Sequence, residues 1–160
     1  MARCLKLKAE DADDVRVMSA YLQDAIVPIG EIGWIREEGC FVLVANRFKW
    51  ETCEPAPVAP PAGRKPGFPF ERTHAGLRIE GVTAVRVRGI DLKDRGQILS
   101  LLALEAGDGH LLLHFSGGGC IRVDAPAIAV RLEDLGEPWP TDRMPAHRLD
   151  DAQDQDRAAQ

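Results

Sequence analysis

No apolar run in this chain approaches the ~18 residues that a membrane-spanning helix requires, and the start, Met1-Ala2-Arg3-Cys4-Leu5-Lys6-Leu7-Lys8, lacks an apolar export segment. A cytoplasmic protein with no membrane partner is therefore expected. Cysteine is sparse: Cys4, Cys40, Cys53 and Cys120 are scattered without a C-x-x-C pair, which suits reduced thiols and makes each first a small buried hydrophobe. There is no basic excess, since the net charge is −5, and this argues against nucleic acid as a partner. Aromatic residues make up only 6% of the chain, too few to build a stacking platform for bases. No G-x-S-x-G nucleophile elbow occurs, and no repeat of 20 to 50 residues is visible.

What is present is an ordinary globular composition. Apolar residues at 45% and charged residues at 28% exclude collagen, coiled coil and wholesale disorder. A chain of 160 residues buries roughly 70% of its unfolded surface, enough for one core without metals or disulfides. One domain is expected over 1–140. Within it, 54–70 holds six prolines (Pro55, Pro57, Pro60, Pro61, Pro66, Pro69) and reads as an inserted loop, with Pro57-Val58-Ala59-Pro60 a weak P-x-x-P match. The polar stretch 141–160 reads as a tail with nothing to bury.

Leu5 and Leu7 alternate with Lys6 and Lys8, as in a short strand with one wet face. A helix follows, with Asp11 as N-cap, Asp13 and Asp14 favoured by the helix dipole, and Val15, Met18, Leu22 and Ala25 on one face, widened by Val17 and Tyr21. It is expected to stop before Pro28. Residues 32–36 and 40–48 read as a hairpin around Glu37-Glu38-Gly39, and 73–88 as strand bent at Gly81.

The register is best specified over 98–124. Asp108-Gly109 pairs Leu104 with Leu113 and Leu102 with Phe115, while a three-residue loop at Gly117-Gly118-Gly119 pairs Phe115 with Ile121, Leu113 with Val123 and His114 with Arg122. Leu102, Leu104, Leu111, Leu113, Phe115, Ile121 and Val123 then form one core face, leaving Glu105, His110, His114, Ser116, Cys120, Arg122 and Asp124 opposite. Pro126, Ile128, Leu132 and Leu135 with a Gly136 cap read as a C-terminal helix, although Ile128, Val130 and Leu132 also fit a strand.

Polar chemistry is thinly supported by these patterns. His110 and His114 are ~13 Å apart on a strand, too far to share a zinc ion, so no metal and no cofactor is expected. The glycine run after Ser116 is followed by a strand, not by the helix N-terminus of a phosphate loop. No catalytic residue is assigned. Ligand-binding candidates are the basic cluster Arg47, Arg72, Arg86 and Arg88 with Arg78, Trp50 and His74, read as lining the face of neighbouring strands, together with His114 and Arg122.

Asn46-Arg47-Phe48-Lys49-Trp50-Glu51, Ala75-Gly76-Leu77-Arg78, Val85-Arg86-Val87-Arg88-Gly89-Ile90-Asp91, Phe115-Ser116-Gly117-Gly118-Gly119-Cys120-Ile121-Arg122 and Arg131-Leu132-Glu133-Asp134-Leu135-Gly136-Glu137-Pro138-Trp139 occur in that order. Together they resemble an alphaproteobacterial family of small uncharacterised proteins, a domain of unknown function. The resemblance spans 5–139 and implies a cytoplasmic bacterial protein; it implies no activity, cofactor or catalytic residue.

The fold expected is α+β: a mainly antiparallel curled sheet or split barrel of about eight or nine strands with an N-terminal and a C-terminal helix, or, by analogy, a pleckstrin-homology-like barrel. The function expected is a binding or regulatory module that uses a sheet face or an arginine-lined groove to hold a protein or a small anionic partner. Two alternatives stand beside it: a small hydrolase or transferase using Cys120 or His114 with Arg122 as anion clamp, and a homodimer-forming assembly protein without a ligand.

Overall fold

The computed structural model describes residues 4–52, 70–141 and 143–145. The proline-rich stretch at 54–69 and the tail beyond 145 lie outside the described residues. In chain order the elements are β1 (Lys6–Ala9), α1 (Ala12–Tyr21), β2 (Ala25–Pro28), β3 (Ile32–Ile35), β4 (Cys40–Phe48), β5 (Phe70–Ile79), β6 (Ala84–Arg88), β7 (Ile98–Gly107), β8 (His110–Phe115), β9 (Cys120–Asp124) and β10 (Val130–Thr141). All strand pairings are antiparallel. They join into one curled ten-stranded sheet in the order β1-β10-β5-β4-β2-β7-β8-β9-β6, with β3 beside β4. No helix among the described residues is long and apolar enough to cross a membrane.

Alternation decides which side of the sheet faces the core. Phe41, Leu43 and Ala45 of β4, Ala75, Leu77 and Ile79 of β5, Leu111, Leu113 and Phe115 of β8, Ile121 and Val123 of β9, and Val130 and Leu132 of β10 are all buried on the inner side. Helix α1 lays Val15 and Met18 against that core. Asp11 caps it as its side chain accepts from the Asp14 amide at 2.8 Å.

The helix ends at Tyr21, earlier than its apolar spacing suggests. Asp24 takes a left-handed conformation with φ 61° and turns the chain, so Ala25 belongs to strand β2, where β-branched Ile26 and Val27 pair with β7. Val17, expected on the helix's apolar face, is 54% exposed.

The hairpin region is folded back twice as expected, with two corrections of register. Leu104 does pair with Leu113, but a bulge between Leu101 and Ala103 puts Leu101, not Leu102, opposite Phe115. Beyond the bulge the Leu104 amide donates to Ser19 Oγ of the helix. The loop turns about Gly117, one residue earlier than expected, closed by the Phe115 amide donating to the Gly119 carbonyl at 2.8 Å, with Gly117 and Gly118 at φ 78° and 83°. Leu113 therefore pairs with Ile121, Leu111 with Val123, His114 with Cys120 and Leu112 with Arg122. This is a slip of two residues, which preserves the faces.

The C-terminal helix is replaced by β10, which fills the slot between β1 and β5. Gly136 does adopt positive φ, at 74°, but at a bulge where the register shifts between Leu135 and Trp139 rather than at a helix cap. With it goes the closing helix on which the pleckstrin-homology analogy rested.

Candidate functional site: a cleft and an adjoining arginine-bearing hollow on the outer face

One edge of β4 is shared by two short strands. β3 pairs with Cys40 through Leu43, β2 reaches β4 only through Ile26 opposite Asn46, and a 3-10 turn at Ile29–Glu31 links them. Between these pairings the outer side of β4 is left open at Val44. The resulting cleft of about 690 Å³ is lined by Ile26, Pro28, Glu31, Val44, Asn46, His74, Ile98 and Leu135 among others. A second hollow of about 310 Å³ shares Ile26 and adds Asp24, Arg72, Ser100, Arg143 and Met144.

The floor follows from the register. Leu135 lies opposite His74, His74 opposite Asn46, Asn46 opposite Ile26, and Ile26 opposite Ser100, a single row across five strands. Two residues further along each strand, side chains return to the same face. On one side stand Arg72 and Phe48, a cross-strand pair. On the other stand Gly76 with Val44 and Pro28 with Ile98. Leu135 packs over Gly76, its Cδ1 standing 3.4 Å from where a Cβ would lie, an ordinary contact distance.

Arg72 is half-buried, and its fork is held by a neutral group. Nε donates to Asn46 Oδ1 at 2.6 Å and Nη2 to the Asn46 carbonyl at 3.2 Å. Its Cζ sits 5.9 Å from the Phe48 ring centroid, the ring itself packing edge-on to Trp50 at 4.6 Å. No carboxylate among the described residues forms an ion pair with it. Burial lowers the Arg72 pKa from the ordinary arginine range, and the more distant Asp24 carboxylate opposes that shift. Beside it the exposed His74 ring packs on Trp139, centroids 4.7 Å apart. With Oδ1 engaged by Arg72, the Asn46 Nδ2 group has no partner among the described residues.

Arg47, one residue after Asn46, points to the opposite side and is wholly buried. Nε and Nη2 donate to Asp134 of β10 at 2.7 and 2.8 Å, and Nη1 and Nη2 donate to Glu51 at 3.0 and 2.8 Å. Asp134 also accepts from the Leu5 amide at 3.0 Å, so one arginine ties the β1 end, β10 and β4 together. Burial works against the Arg47 charge, but the hydrogen bonds to Asp134 and Glu51 outweigh it and hold the guanidinium above its ordinary pKa. Arg47 is thus a structural ion-pair centre. Trp50 packs on Phe48 and donates Nε1 to the Gln23 carbonyl at 2.9 Å.

The remaining candidates lie elsewhere. Although β5 and β6 are consecutive in the chain, β4, β2, β7, β8 and β9 stand between them in the sheet, so the arginines expected on one face of neighbouring strands fall into separate groups. Arg86 faces Arg122 across β6 and β9, and both reach Asp124, at 3.9 and 2.8 Å; Arg88 faces Cys120. Arg78 pairs with Glu80 and Glu38. His114 lies opposite Cys120 but holds Glu105 Oε2 at 2.7 Å, with no hydrogen bond between His114 and Cys120 among the described residues. No group of three or more His, Cys, Asp or Glu among the described residues is placed to hold a metal ion. Of the residues bordering these two hollows the sequence reading named Arg72 and His74 but not Asn46, Ile26, Ile98 or Leu135, and it did not name Asp134 and Glu51 as the partners of Arg47.

Fold and site together define an antiparallel-sheet α+β domain with an amphipathic cleft on its outer face. Residues 5–147 match the model of the family described as protein of unknown function DUF2948, and the chain belongs to that family. No curated protein and no solved structure matches the chain.

Proposed function

We propose that this protein is a non-catalytic binding module that holds a small anionic partner in the Arg72 hollow. The observation that carries the reading is the half-buried Arg72 guanidinium, anchored by neutral Asn46 and facing open space. A desolvated cation with no bonded counterion among the described residues gains from an anion that the already hydrated arginines of β6 and β9 do not. Its anchored Nε leaves Nη1 and the remaining Nη2 hydrogen as an end-on donor pair, with Asn46 Nδ2 beside them. Arg143, which lines the same hollow, adds positive potential at the mouth.

The test is competition between the two arginine groups. Acetate or inorganic phosphate titrated into the full chain should shift backbone signals around Asn46, Arg72 and His74, and Arg72→Gln should abolish these shifts while Arg86→Gln leaves them intact. Shifts centred on Arg86 and Arg122, or insensitive to Arg72→Gln, would contradict the reading.

A further inference from the structure

The cleft is chemically two-sided, and that constrains the partner more than the arginine alone does. Along the strands from the row of His74, Asn46 and Ile26, one step leads to Arg72 and the opposite step to Gly76, Val44, Pro28 and Ile98. Ile98 and Leu135 are 64% and 42% exposed, two of the few large hydrophobic side chains left open to water, and both border this cleft. Large apolar groups held at the surface beside a desolvated cation mark a site for a ligand with the same polarity. At the apolar end stands the exposed Glu31 carboxylate. A second anionic group on the ligand would meet it.

We propose that the cleft and the adjoining Arg72 hollow, which meet at Ile26, bind a small monocarboxylate with an apolar body, its carboxylate on Arg72 and Asn46 and its hydrocarbon across Ile26, Val44, Pro28 and Ile98. This rests on the reading of Arg72 as the anion site and adds the class of ligand. The planar end-on donor pair of one guanidinium matches a carboxylate. The apolar cleft of about 690 Å³ and the Arg72 hollow of about 310 Å³, which share Ile26, each fall within the ~300–1,000 Å³ of small-molecule sites, which favours a free acid over a folded partner.

Calorimetric titration of the full chain with octanoate, acetate, suberate, n-octylamine and inorganic phosphate tests this. Each buried methylene contributes about fourfold in affinity, so octanoate should bind more than about a hundredfold tighter than acetate. Suberate should bind about tenfold more weakly than octanoate because its second carboxylate approaches Glu31, and octylamine should not bind. Ile98→Asp, at a position 64% exposed, should weaken octanoate about tenfold and spare acetate. Arg72→Gln should weaken both acids, with thermal melts showing that each variant is folded. Octanoate binding no tighter than acetate or phosphate, octylamine binding as well as octanoate, or Ile98→Asp having no effect would each overturn the apolar-body inference while leaving the anion site standing. Binding of both acids unchanged by Arg72→Gln would overturn the anion site and this inference together.

Discussion

Arg47 and Arg72 sit on adjacent strands, yet they face opposite sides of the sheet and have opposite chemical fates. Arg47 is wholly enclosed and hydrogen-bonded to two carboxylates, Asp134 and Glu51. Arg72 is half-enclosed and bonded to the side chain and carbonyl of Asn46. A buried guanidinium with both carboxylates in place closes its own local charge and has nothing left to offer a ligand. One held by a neutral amide keeps its charge directed outward. The lesson is that the number of arginines on a sheet says little about binding; the counterions each already has decide it.

The sharpest way to break this contrast is to remove Arg47. Arg47→Met leaves Asp134 buried with only the Leu5 amide, and stranding a buried charge costs about 3–5 kcal/mol, roughly a 10 °C fall in melting temperature for a chain of this size. Replacing both partners, Arg47→Met with Asp134→Leu, should recover most of that loss, because a packed apolar pair removes the desolvation cost that a lone carboxylate retains. Arg72→Gln, by contrast, should change stability by less than about 1 kcal/mol in thermal or urea unfolding.

A smaller effect sharpens the comparison from the other side. Asp24 lies near enough to Arg72 to offset part of its charge without bonding to it. Asp24→Asn should therefore tighten acetate or octanoate binding a few-fold at low salt and less at high salt, since the gain is a screened Coulomb effect. The smallest effect concerns the exposed arginines of β6 and β9. Asp124 is held below the ordinary carboxylate pKa, first by its hydrogen bond from Arg122 and then, against a desolvation effect, by the charges of Arg122, Arg86 and His110. A depressed folded-state pKa means stability that is present above the unfolded value near 3.8 and is lost as pH falls through the folded one. Asp124→Asn should flatten the acid limb of the stability profile below about pH 4, with no change in anion binding at Arg72.

How much of this was legible in the sequence follows from parity. Over 98–124 apolar and polar residues alternate, so the faces were readable even though the loop slipped by two residues. Leu102 was misplaced because a bulge leaves no trace in alternation. In β5, Leu77 and Ile79 mark the inner side, so the outward position of Arg72 and His74 was readable as well. In β4 both alternate sets are apolar, Phe41, Leu43 and Ala45 on one side and Cys40, Val42 and Val44 on the other, so nothing in the pattern said that Arg47 points inward. Its partner Asp134 was hidden twice over, because Ile128, Leu132 and Leu135 also fit a helical spacing and Gly136 supplies the positive φ that a helix cap and a β-bulge both use. The strand order, which separates Arg72 from Arg86, depends on long-range pairing of β4 with β2 and β2 with β7, which no local pattern encodes.

The contrast between a closed and an open arginine is tested most directly by following the Nε–H signals of Arg47 and Arg72 by NMR while acetate and then octanoate are added to the full chain. The Arg72 signal should move saturably with either acid, and further with octanoate, while the Arg47 signal stays fixed and resists exchange with solvent. A stationary Arg72 signal, or one from Arg47 that moves in step with it, would contradict the account.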